Sequence, residues 1–102
     1  MSDFSQGDII KVEGYRDCFI IVSNNSFIRH TGAFHVCPVI KKCKEGPLHI
    51  KVKGRKGAAG VVVCEQIKLM DPSSRSCSPM DMVPYDMIMN ISDAVQGMFE
   101  YD

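Results

Sequence analysis

The chain has 102 residues, with 12 Lys and Arg against 12 Asp and Glu, so its formal net charge is zero. That length holds one domain with a thin core, and the zero balance gives no bulk electrostatic sign of a nucleic-acid partner. No apolar run reaches membrane-spanning length and Met1–Gln6 has neither a basic head nor an apolar body, so neither a membrane partner nor a signal peptide is expected.

Along the chain, Gly7-Asp8 leads into Ile9–Glu13, where Ile10 and Val12 alternate with Lys11 and Glu13, the pattern of a first strand with one wet face. Gly14-Tyr15 predicts a tight turn, and Arg16–Ser23 returns as the antiparallel partner. Phe19–Val22 is apolar without a break, as in a strand covered on both faces. Asn24–Gly32 is polar and rich in turn formers, so it reads as a loop with one helical turn at Phe27-Ile28. Ala33–Ile40 is the third strand, and Pro38, lacking an N–H, predicts a strand end, an edge or a bulge.

Lys41–Pro47 is a basic loop. Leu48, Ile50 and Val52 then alternate with His49, Lys51 and Lys53, giving a fourth strand with a cationic outer face. Gly54–Gly60 is a second basic turn, and Val61–Cys64 a fifth strand that continues after a bend through Glu65–Met70. Asp71-Pro72-Ser73-Ser74 closes it. Pro79–Met82 reads as a short helical turn. From Pro84 the period changes: Ile88, Ile91, Val95, Met98 and Phe99 recur at helical spacing, which predicts an amphipathic helix. The whole pattern is mainly β with a C-terminal helix, a small, strongly bent antiparallel β-barrel.

Net neutrality hides an asymmetry. Lys41, Lys42, Lys44, Lys51, Lys53, Arg55 and Lys56 face a single acid in that stretch, Glu45. From Asp71 onward six acids face only Arg75. Two solvated surfaces explain this, and so does a basic face for an anionic partner. Arg16 is the main candidate for chemistry: a guanidinium at a strand start can hold a phosphate bidentately, or can simply pair with Asp17 or Glu13. Gly54-Arg55-Lys56-Gly57 is a charged hairpin tip able to track a nucleic-acid backbone, without the ending of a P-loop. Gln66 and Lys68 share a strand face and either line a groove or are wet.

The five cysteines (Cys18, Cys37, Cys43, Cys64, Cys77) are odd in number and mostly lie in apolar segments, as reduced thiols of a cytoplasmic protein do. With His30, His35 and His49 they match no structural zinc spacing, so no metal and no cofactor are expected. No cysteine is marked by sequence as electropositive and exposed, so no cysteine–histidine nucleophile pair is assigned.

Gly7-Asp8-Ile9-Ile10, Arg16 leading into Phe19-Ile20-Ile21-Val22-Ser23-Asn24, Val36-Cys37-Pro38-Val39, and Gly60–Lys68 with Asp71 together resemble the MazF/PemK family of type II toxins. The resemblance covers nearly the whole chain as a single domain. It implies an SH3-like barrel, usually a homodimer, that cleaves single-stranded RNA without a metal. The ribose 2′-OH attacks the adjacent phosphate, leaving a 2′,3′-cyclic phosphate and a 5′-OH, and an antitoxin tail blocks the RNA groove. By the same resemblance Arg16 is the catalytic cation. Nucleic-acid contacts are expected from Lys41, Lys42, Arg55, Lys56, Gln66 and Lys68. The chain departs from the family pattern in three places. Ile40 stands where a Thr or Ser is usual, Asp17 follows Arg16 where Pro is usual, and the first loop is short. A side chain such as isoleucine can neither donate nor accept a hydrogen bond. A nucleic-acid- or protein-binding module that has lost cleavage therefore stands as the alternative.

Overall fold

The computed structural model describes residues 4–101, so Met1–Asp3 and the acidic Asp102 lie outside the described residues. Seven strands form one antiparallel sheet: β1 (Asp8–Val12), β2 (Cys18–Ile21), β3 (Phe34–Ile40), β4 (His49–Lys53), β5 (Ala59–Val63), β6 (Lys68–Met70) and β7 (Cys77–Met82). The hydrogen-bonded order is β4-β5-β3-β2-β1-β7, with β6 also on β3. Helix α1 (Asn25–Thr31) joins β2 to β3, a 3-10 turn (Cys64–Gln66) joins β5 to β6, and α2 (Tyr85–Gly97) ends the chain.

Period-2 alternation sorts the core into two layers, one on each face of β1-β2-β3. Ile9, Ile20, Cys37, Val39 and Val62 pack with Val83, Ile88 and Ile91 at and on α2. Ile10, Val12, Phe19, Ile21 and Val36 face the other way and pack with Ile28 of α1, Phe34 and Met70. The unbroken Phe19–Val22 run is thus covered on both faces, as its composition requires.

Four elements differ from the sequence expectation. The β1–β2 connection runs from Glu13 to Asp17, with Gly14 at φ 91° reversing the chain, so Arg16 sits in a bend before β2 and not in the strand. Asn24–Gly32 is a capped helix: the Asn24 side chain accepts from Phe27 N–H at 2.8 Å, and Gly32, at φ 73°, donates its N–H to Ile28 O. The residues read as turn formers are its caps. Pro79–Met82 is not a helical turn but part of β7, an edge strand paired with β1, and Pro79 lies beside a register shift at Ile9/Ile10 where a missing N–H is tolerated. Helix α2 ends at Gly97, so Phe99, expected on its apolar stripe, is 75% exposed.

Pro38 is neither at an end nor on an edge strand. Val22 N–H donates to His35 O, which puts Pro38, opposite Phe19, at a non-hydrogen-bonded site of the β2–β3 ladder. Its nitrogen faces the other edge of β3, where β6 pairing has stopped at Val36 and β5 pairing begins only at Val39.

Candidate nucleic-acid interface

A groove of about 1070 Å³ opens on the face of the sheet that also carries Ile9 and Val39. Its floor is apolar, built from Ile9, Cys18, Val39, Val61 and Met80, and the Cys18 Sγ lies 3.3 Å from the Met80 Sδ. Cations come from four separate parts of the chain: Lys11 on β1, Arg16 before β2, Lys41 and Lys42 after β3, and Lys51 on β4. Asp17 is the one carboxylate among the lining residues. Neighbouring strands cross here at spacings that bring residues far apart in sequence to one surface.

Arg16 is exposed and, among the described residues, forms no ion pair with Asp17, Glu13 or any other carboxylate. The surface ion-pair reading of Arg16 is therefore not realised, and its guanidinium is free to meet an anion. Ile40, at the end of β3, is also among the residues that line the groove.

One wall of the groove is the β4–β5 turn, which contributes Gly57 and Ala58. Asp81 of β7 shapes this wall. Only 6% exposed, it is the one buried polar or charged residue among the described residues. Oδ1 accepts from Lys56 N–H at 2.9 Å and from Met82 N–H at 2.7 Å, and Oδ2 accepts from Ala58 N–H at 2.9 Å. Burial pushes the Asp81 carboxyl up, but these three backbone donors, with the Lys56 charge, more than offset it and hold it below the usual carboxylate range. Arg55 N–H completes the junction by donating to Met82 O at 2.8 Å. No ladder joins β4 to β7 among the described residues, so Asp81 and this bond draw the two sheet edges together. Gly54 is required for the close approach, since a Cβ there would overlap the Asp81 carboxylate. We expect Gly54→Ala to cost about 1–3 kcal/mol by thermal denaturation, the range of overpacking in a filled site.

The structure divides the expected contact residues. Arg16, Lys41 and Lys42 line the groove together. Arg55 and Lys56 are exposed on the turn that forms its lip, without lining it. Gln66 is exposed on the 3-10 turn outside the groove, and Lys68 lies on the opposite face of the sheet. The Lys68 Nζ stands 4.9 Å from the Tyr15 ring and 5.3 Å from the Phe19 ring, within cation–π range, and Arg75 stacks on the same Tyr15 at 5.1 Å. Lys11 is not singled out by the sequence, and Lys51 only as one cation of the basic stretch from Lys41 to Lys56. Each sits on the wet face of an alternating strand, which marks them as exposed but not as neighbours.

A second polar cluster lies under the β3–β4 loop. His49 Nε2 is 2.8 Å from Glu65 Oε2, and His49 Nδ1 is 3.0 Å from Lys44 O and 3.7 Å from Cys43 Sγ. The Glu65 hydrogen bond, then the Lys44 carbonyl, raise the His49 pKa above 6.5, and the same hydrogen bond lowers that of Glu65. His49 therefore contributes stability below its ordinary pKa and loses it as pH rises through the raised value; Glu65 contributes above its ordinary pKa and loses it as pH falls through the lowered one. A proton NMR titration should find His49 titrating above 6.5, and back at that ordinary value in Glu65→Gln apart from the share due to Lys44 O.

A family model described as PemK-like, MazF-like toxin of type II toxin–antitoxin systems matches residues 3–99. The chain belongs to this family. Against curated protein sequences no significant match is found. Solved structures agree on the fold. A chain of the MazE–MazF complex of Deinococcus radiodurans superposes with a TM-score of 0.83 at 19% identity, covering 96% of this chain and 97% of that one. An endoribonuclease in complex with its cognate antitoxin from a mycobacterial species gives 0.80 at 17% identity, with 97% and 99% covered. The Mycobacterium tuberculosis toxin MazF-mt6 gives 0.72 at 13%, with 93% and 98% covered. The MazF fold of a mainly antiparallel sheet with a C-terminal helix is thus shared across nearly the full chain. No helix among the described residues is long and apolar enough to cross a membrane.

Proposed function

We propose that this MazF-family chain is a cytoplasmic endoribonuclease that cleaves single-stranded RNA in the groove, without a metal, and that a cognate antitoxin inhibits it by filling the same groove. The observation that carries the reading is Arg16, unpaired at the rim of a groove lined by five cations and one carboxylate. The cations attract the phosphate backbone, and the apolar floor accepts base faces. In this reading Asp17 takes the proton from the ribose 2′-OH, the oxygen attacks phosphorus, and Arg16 stabilises the charge on the phosphorane. Lys41 or Lys42 returns a proton to the departing 5′ oxygen, replacing the hydroxyl that Ile40 cannot supply. A homodimer is part of the proposal and rests on family resemblance; light scattering on the purified chain tests it.

The decisive experiment incubates the purified chain with a long RNA in EDTA and maps the product ends. Cleavage leaving 2′,3′-cyclic phosphate and 5′-OH ends supports the proposal. Intact RNA overturns it. Ile40 in the groove favours a second reading, a binding module without cleavage. Intact RNA bound with a steep salt dependence is the result that selects it.

A further inference from the structure

Cys43 differs from the other thiols in its neighbour. Cys37 and Cys64 are buried, and burial foremost pushes them up to about 12 and about 11, so they are inert core groups. Burial also raises Cys77, and Cys18 faces Met80 on the groove floor. Cys43 is half-buried, in the loop directly after the groove residues Lys41 and Lys42. Its Sγ stands 3.7 Å from the Nδ1 of an imidazole anchored at its far end by Glu65. With the Lys44 carbonyl at Nδ1 and the Glu65 carboxylate at Nε2, the ring has an acceptor at each nitrogen, the arrangement that favours imidazolium. The partly exposed Cys43 sulfur thus stands beside a ring held in place at both nitrogens, within reach of a proton donor and acceptor.

We propose that Cys43 is a site of thiol–disulfide exchange with low-molecular-weight disulfides, positioned by His49 and Glu65, and that the adduct closes the adjoining end of the basic groove. The Cys43 thiolate attacks one sulfur of the disulfide RSSR. The S–S bond breaks, a Cys43–S–S–R bond forms, and RS⁻ leaves and takes up the proton as RSH. The disulfide is the oxidant and Cys43 is oxidised. With an anionic R group, such as the glutathionyl peptide, the adduct places negative charge beside Lys41 and Lys42 and competes with an RNA backbone. This second half rests on the proposed RNA reading of the groove; the exchange itself does not.

The test treats the full chain under native conditions with oxidised glutathione and follows adducts by peptide mass mapping. Cys43 should react about tenfold or more faster than Cys18, the range by which a cationic neighbour separates thiols. His49→Gln should slow Cys43 by about tenfold and leave the Cys18 rate unchanged. Equal rates at Cys43 and Cys18, or no effect of His49→Gln, overturn the site. The adduct should weaken binding of a short single-stranded RNA at low salt by about tenfold, reversibly with dithiothreitol, while Cys43→Ser binds normally and ignores the disulfide. Fast exchange with unchanged RNA affinity overturns groove closure alone. Fast exchange in a chain that binds no RNA with or without the adduct overturns the groove reading and leaves the exchange site standing.

Discussion

Asp81→Ala should lower the stability of the fold by about 3–4 kcal/mol, the largest effect expected of any single side chain outside the apolar core. The variant strips the acceptor from three backbone N–H groups at once, those of Lys56, Ala58 and Met82. Two belong to the turn that walls the groove, so that wall should loosen with the fold. Urea denaturation measures the loss, and amide exchange at Lys56 and Ala58 localises it. Asp81→Asn separates charge from shape. Its amide oxygen can still accept from Lys56 and Met82, but its NH2 group then faces the Ala58 N–H, so about half the loss is expected. A full loss in Asp81→Asn would assign the effect to the charge, and no loss in Asp81→Ala would refute the bridging role. Gly54→Ala should cost less in the Asp81→Ala background, because the group it collides with is gone. The Asp81 carboxyl is held below its ordinary value of 3.8, so its contribution is complete above that value. It is lost as pH falls through the lowered pKa, which makes it a source of acid unfolding.

Asp81 also shows where the sequence stops being legible. Strands β1 and β4 and helix α2 announce themselves by period, and β2 and β5 by unbroken apolar runs that are buried on both faces. Strand β7 buries one residue, and that residue is an aspartate, so no alternation marks it. Helix α1 buries only Ile28, too little for a helical period, and its caps Asn24 and Gly32 look like loop residues until they are read as a pair. The site divides in the same way. Arg16, Lys41 and Lys42, which line the groove, are legible because each lies next to a strand that the sequence pattern locates. Lys11, and the place of Lys51 beside it, are not legible because only the fold of the sheet brings β1 and β4 to one groove. Gln66 and Lys68 share a local polar pattern with true groove residues, yet Lys68 pairs across from Val36 and points to the layer that holds Phe19. Cys43 and His49 are six residues apart, with nothing in that spacing to reveal that Glu65, on a different turn, orients the ring.

If the chain cleaves RNA as proposed, Arg16→Ala should reduce that cleavage by about 10²–10³-fold, the usual consequence of removing one donor aimed at a developing oxyanion. The loss should fall on kcat. Lys11, Lys41, Lys42 and Lys51 remain to hold the phosphates, so KM for a long RNA should change little and the slope of binding against salt should shrink by about one phosphate contact. A lysine at the position restores the charge but not the planar fork, so Arg16→Lys should recover only part of the rate. Equal loss in kcat and in affinity would make Arg16 a binding residue. Unchanged cleavage would remove it from the site. Ile40→Thr then asks what the groove lacks. The position lies at the end of β3, half-buried and lining the same groove, and a hydroxyl there could donate to a phosphate oxygen or to the departing 5′ oxygen. If Lys41 and Lys42 already supply that proton, Ile40→Thr changes kcat by less than about threefold, a difference of well under 1.4 kcal/mol in the barrier. If the hydroxyl is missing without replacement, the same substitution raises kcat by about tenfold or more, and only in chains that keep Arg16.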